Sequence, residues 1–229
     1  MYHGTEIKRG KRIVQNQKME PSISTERKQH WLGDGIYLYR EFSYAFRWIV
    51  LMYKERQMLD CIENELLRYY SVLKVEVDCP DERIFRLDNP EHFMAFKRVE
   101  QNYRQNSVFS EKLRRLDCTD GFIINIMFKN LQYGDSYDMV EATFPIHDFV
   151  CGLSEQTRLK TVVEYQACVK NDVIITQIID ISDTINCKAS YKIYKDIEEF
   201  KQKKLPDVTK INKYSSRGKG GSYGKWKKN

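Results

Sequence analysis

With 229 residues, 41% of them hydrophobic and 13% aromatic, the chain can bury one sizeable core, and its length demands no second domain. The formal charge of +6 is held unevenly: residues 201–229 carry ten Lys/Arg against Asp207, a surplus of +9 that leaves about −3 for residues 1–200. No basic, apolar leader opens the sequence and no long apolar run occurs in it, so a cytoplasmic protein without a membrane segment is expected.

In chain order, Met1-Tyr2-His3-Gly4-Thr5 precedes a polar stretch, residues 6–30, in which Pro21, Ser22, Ser24 and Thr25 break any apolar period. A long loop, or a short helix and a loop, is expected there. Gly33-Asp34-Gly35 leads into the β-type run Ile36-Tyr37-Leu38-Tyr39. Phe42, Ala45, Phe46, Ile49, Val50 and Tyr53 then follow the spacing of one apolar helix face, and Leu59, Ile62, Leu66 and Tyr70 continue it. Ser71 to Val77 alternates as a strand. Residues 91–104 and 110–116 read as helical, with the charges from Arg104 to Arg115 on a solvated face.

Gly121 to Phe128 and Tyr137 to Phe144 read as strands, and Val162 to Val169 and Val173 to Ile181 as neighbouring strands about the turn Asn171-Asp172. A strand, then helices, then late strands indicates an α+β fold. From Leu205, Pro206 and Ser/Gly-rich stretches replace periodicity, so residues 1–204 are expected to form the catalytic domain and 205–229 a basic flexible tail.

The six cysteines form no C-x-x-C pair, and His30, His92 and His147 have no carboxylate or thiol at ligand spacing, so no metal is expected. Gly33 and Gly35 lack the third glycine of a dinucleotide fingerprint and the lysine of a phosphate loop.

Tyr2-His3-Gly4-Thr5, followed some thirty residues later by Leu32-Gly33-Asp34-Gly35-Ile36-Tyr37-Leu38 and by a helix with Ala45 and Trp48, resembles the ADP-ribosyltransferases of the poly(ADP-ribose) polymerase-like, His-Tyr-Glu type. Small bacterial toxin-like members of that family share the opening Tyr-His-Gly-Thr. The resemblance implies a split antiparallel β core with flanking helices, NAD+ as substrate, and transfer of ADP-ribose with release of nicotinamide. It also implies a catalytic Glu on a late strand.

The residue types suit that chemistry. A neutral His3 imidazole can hydrogen-bond a ribose hydroxyl, and Gly4 leaves its backbone groups open to a carboxamide, with Thr5 and Gly35 bordering the same substrate site. Tyr37 offers a flat face to a nicotinamide ring; Trp48 either supplies the opposite wall or packs in the helix core. In Val163-Glu164-Tyr165-Gln166, alternation puts Glu164 and Gln166 on one strand face, and either can be the third catalytic residue. A carboxylate at Glu164 would stabilise the charge that builds on the ribose carbon, whereas Gln166 would supply a hydrogen bond without charge. Glu141 is expected at most to line the cleft.

The expected function is therefore NAD+-dependent ADP-ribosyl transfer by His3, Tyr37 and Glu164 or Gln166, with residues 15–34 covering the pocket. The acceptor is expected to be nucleic acid, RNA ahead of protein. Arg217, Lys219, Lys225, Lys227 and Lys228 lie among Tyr214, Tyr223 and Trp226, a pattern that neutralises phosphates and stacks on unpaired bases. Rival readings are a catalytically silent nucleic-acid-binding protein on the same fold, and an NAD+ glycohydrolase. By analogy the family context is a toxin, with an acidic antitoxin as a further partner.

Overall fold

A seven-stranded sheet organises the computed structural model of the protein, which describes residues 1–25, 29–57, 66–106, 119–145 and 163–186 together with 111, 114, 116 and 190. The strands are β1 (Tyr2–Glu6), β2 (Ile36–Tyr39), β3 (Tyr70–Val77), β4 (Ile84–Arg86), β5 (Met139–Pro145), β6 (Val163–Val169) and β7 (Ile175–Asp180). They lie in the order β4-β5-β6-β2-β1-β3-β7. The helices are α1 (Ile7–Asn16), α2 (Phe42–Gln57), α3 (Leu66–Tyr69), α4 (Pro90–Gln105), α5 (Thr119–Asn130) and α6 (Tyr133–Ser136). The fold is α+β, a mixed architecture of one sheet with helices packed on its faces.

Five of the six strand pairings are antiparallel. The sixth departs from the antiparallel expectation: Ile84 to Arg86 run parallel to Met139 to Glu141, a pairing that the intervening helices α4 and α5 permit as a crossover.

The two faces bury different residues because strand side chains alternate. On one face Leu38, Leu73, Val75, Ala167 and Val169 pack with Ile13 of α1. The other face is shared. Its β1 and β3 end lies under Ala45, Phe46, Ile49 and Val50 of α2, the apolar helix face legible in the sequence. Its β5 and β6 end, with Val140, Ala142 and Cys168, lies under Ile123, Ile124 and Met127 of α5.

Two sequence expectations are corrected. Gly121 to Phe128, read as a strand, lies within α5, where Gly121, Ile123, Ile124, Ile126 and Met127 are all buried. A short run that is apolar all round fits a buried helix as well as a strand, and β-branched residues tip a sequence reading towards the strand. The strand pair expected from Val162 to Ile181 also fails: β6 joins β2 and β5, whereas β7 joins β3 at the opposite edge, with β2, β1 and β3 between them. The helix expected over 59–70 is described only as α3, with residues 58–65 outside the described residues, and Tyr70, read as its last helical position, instead opens β3. Most of 110–116 and all of the basic segment from 191 onwards lie outside them as well.

Candidate active site

Strands β1 and β2 are neighbours whose register holds at Tyr2↔Tyr39, among the described residues. Met1 and Val75 exchange both backbone hydrogen bonds, each 2.8 Å, which fixes the phase of the β1–β3 ladder: His3 and Thr5 bond towards β3, and the Gly4 N–H and C=O point towards β2. On β2, the Arg40 N–H donates to the Tyr165 carbonyl at 3.3 Å, so Leu38 bonds towards β6 and the Tyr37 carbonyl points towards β1. The sheet is thus split where two strands of backbone groups face each other across a gap.

His3 spans that gap. Its Nδ1 lies 2.8 Å from the Tyr37 carbonyl, which can only accept, so Nδ1 carries the proton and Nε2 the lone pair. Burial lowers the imidazole from its ordinary value of 6.5 to about 4, against the opposing pull of the Tyr37 carbonyl and with a smaller push from Arg9. The ring is neutral near pH 7, a hydrogen-bonding rather than a cationic group.

A Cβ at Gly4 would stand 2.6 Å from Ile49 Cγ2 and 2.7 Å from the Ala45 carbonyl oxygen. The glycine therefore lets α2 lie directly on β1 while its amide groups border the split. Trp48 sits over the same residue, its Cδ1 at 3.4 Å from that Cβ position, and it is 44% exposed rather than packed in the helix core. Thr5 is buried beside Gly10 of α1, away from the split.

Tyr37 is held at both ends. Its backbone receives His3, and its hydroxyl donates to the Gly33 carbonyl at 2.7 Å while accepting from the Leu32 N–H at 2.8 Å. The half-buried Lys170 side chain donates to the Leu32 and Asp34 carbonyls at 2.6 Å each, and desolvation of its ammonium lowers its pKa. Gly33 adopts φ 73° against Asn125, and Gly35 adopts φ 152° where a Cβ would stand 2.5 Å from Cys168 Sγ, so both glycines shape this loop. His30 leans on the Tyr37 ring, centroids 5.7 Å apart, and Trp31 packs on Phe144 at 4.9 Å.

Glu164 and Gln166 lie on one face of β6, as alternation requires, and both are buried. The Gln166 amide donates to Glu164 Oε1, and Arg47 of α2 donates to Oε2 at 3.3 Å. Gln166 stands opposite Tyr39, two positions along from the Tyr37↔Cys168 pair, so this pair of polar side chains shares a face with Tyr37. Burial and then the Glu164 charge push the Tyr39 and Tyr44 hydroxyls up, which places that charge near both. Glu141 is not brought to this group: it stands opposite Ala167, on the other sheet face, and pairs with Arg86 at 3.2 Å.

Gly4, Tyr37 and Trp48 therefore border the split, His3 reaches across it from the face of its partner Leu73, and Glu164 and Gln166 lie on the next strand on the face of Tyr37, whereas Thr5 and Glu141 lie elsewhere and Gly35 serves the loop. Sequence reasoning missed Arg47, Lys170 and Trp31. Arg47 had a readable signal, because Tyr44, Arg47 and Trp48 form an i, i+3, i+4 stripe beside the apolar face of α2. Among the described residues no group of His, Cys, Asp and Glu is arranged to hold a metal ion.

No family model and no solved structure matches the chain. A protein of Methanocaldococcus jannaschii, described as uncharacterized protein MJ0359, is 36% identical over 212 residues, which span 86% of this chain and 94% of the archaeal protein.

Proposed function

The chain belongs to the same family as that archaeal protein, and on its own geometry we propose that it is an NAD+-dependent ADP-ribosyltransferase. The observation that carries this reading is the split itself: a neutral His3 across it, the Gly4 amide groups on its border, and Glu164 and Gln166 buried on the strand beyond Tyr37.

In this reading the Gly4 N–H and C=O pair with the nicotinamide carboxamide, a donor and an acceptor matched by an acceptor and a donor. Trp48 and Tyr37 flank the ring, and His3 Nε2 accepts from a ribose hydroxyl. Glu164, positioned by Arg47 and Gln166, accepts from the 2′-hydroxyl of the reacting ribose. As the bond from the ribose carbon to nicotinamide breaks, its electron pair leaves with the nicotinamide nitrogen, and positive charge develops on the sugar. A fixed carboxylate stabilises that charge more in the transition state than in the ground state. An acceptor nucleophile then bonds to the ribose carbon and gives up its proton to water.

The acceptor in this proposal is nucleic acid, RNA ahead of protein, on the strength of the +9 segment 201–229 with its three aromatic residues. A toxin paired with an acidic antitoxin is the setting that fits such a charge distribution.

The test is incubation of the full chain with labelled NAD+ and a cell lysate, divided between nuclease and protease before the label is sized. Label released by ribonuclease supports the reading. Label released only by protease moves the acceptor to protein, and the absence of macromolecular label alongside free nicotinamide would make the chain an NAD+ glycohydrolase.

A further inference from the structure

We propose that Trp31, seated on Phe144, is the platform on which an unpaired nucleobase of the acceptor strand stacks. The inference rests on the ADP-ribosyl transfer reading and names the acceptor side of the same site. Across the sheet the order runs β1, β2, β6, β5, which places Gly4, then Tyr37 and Tyr39, then Gln166 and Glu164, and last Phe144. Phe144 is the direct register partner of Glu164, so the two side chains are neighbours on one face. If nicotinamide is bound at the β1 border, it leaves the ribose carbon in that direction. An acceptor aligned for attack then approaches from the β5 side, where Trp31 stands.

The indole is suited to a flat ligand. Its ring centroid is 4.9 Å from that of Phe144 at 43°, and the residue is 50% exposed. Its backbone is fixed from several directions: the Gly33 N–H donates to the His30 carbonyl at 2.9 Å, Lys170 grips the Leu32 carbonyl, Tyr37 takes the Leu32 N–H, and Leu32 is buried. Gly121 gives the loop its seat, since a Cβ there would run into the His30 carbonyl oxygen. An exposed aromatic held this firmly loses little freedom on stacking, and every base offers it a π-face. The chain's own charge selects a nucleic acid over an aromatic side chain of a protein, because the +9 of residues 201–229 complements a phosphate backbone.

The experiment measures binding of a short single-stranded RNA, and of the same strand carrying abasic sites, to the full chain without NAD+. Wild type, Trp31→Ala and Trp31→Phe are compared, with circular dichroism as the check on folding. The platform predicts that Trp31→Ala weakens binding of the intact strand roughly tenfold, that Trp31→Phe restores most of it, and that the abasic strand does not distinguish the three proteins. Equal affinity of wild type and Trp31→Ala for the intact strand overturns the proposal, as does an equal loss on the abasic strand. Because the assay needs no NAD+, a chain without transferase activity that shows the expected pattern would sink the enzymatic reading and leave base stacking at Trp31 standing.

Discussion

His3 Nδ1 donates to the Tyr37 carbonyl at 2.8 Å, tying together two strands whose ladder register is otherwise given by Tyr2↔Tyr39. The bond fixes the tautomer, with Nδ1 protonated and Nε2 left as an acceptor, and it couples the site to acid stability. The folded-state pKa of about 4 is below the ordinary 6.5, so the unfolded chain takes up this proton first as pH falls. Stability attached to His3 is therefore complete above about 6.5 and is lost progressively towards 4, on the order of 2 kcal/mol after allowance for partial exposure. Denaturant unfolding of wild type and His3→Asn across that range should give a flatter pH dependence in the variant.

Glu164 and Gln166 should separate by charge. If Glu164 is the transition-state carboxylate of the proposed reaction, Glu164→Gln should lower kcat by about two to four powers of ten, with little change in the KM for NAD+. Gln166→Ala keeps the charge and removes one of its supports, so a smaller fall is expected. Full activity in Glu164→Gln with a dead Gln166→Ala would move the chemistry to Gln166.

How much of this was legible depended on which physical rule was in play. The α2 face came directly from the spacing of Phe42 to Tyr53, because a single amphipathic period has one helical solution. The shared face of Glu164 and Gln166 came from strand alternation. The helix at Gly121 to Phe128 was not legible, since its burial on nearly all sides erases the period. Arg47 showed its helix stripe but not its partner Glu164, 117 residues away in sequence, and Lys170 was not legible, because it holds the carbonyls of a loop far upstream.

The loop that carries Trp31 should loosen in acid. Burial raises the Asp34 carboxyl, but hydrogen bonds from Lys129, Ser24 and Asn125 outweigh it and bring the group down from 3.8 to about 2. Its contribution is present above about 3.8 and fades as pH falls towards 2, on the order of 1 kcal/mol once solvent screening is allowed for. Lys129→Met should move the Asp34 titration upwards, measurable by NMR of the carboxyl carbon; an unchanged titration would show that Lys129 is not its main partner.

Two glycines make steric predictions. Gly4→Ala should lower stability by about 1–3 kcal/mol, since the new methyl meets Ile49 and the Ala45 carbonyl and α2 must lift from β1. Gly121→Ala should disturb the 30–33 loop, because its methyl displaces the His30 carbonyl backbone. Thermal melts of both, beside the exposed control Ser136→Ala, read the effect directly; melts indistinguishable from wild type would show that the backbones are not in close contact.

The split sheet is proposed to bind NAD+ and break its nicotinamide bond. The most direct measurement is nicotinamide release from NAD+ by the full chain and by His3→Ala, each verified by circular dichroism. Steady release by the wild type and loss of nearly all of it in a folded His3→Ala are expected. No release by the wild type, with or without RNA present, or equal release by a folded His3→Ala, would contradict the proposal.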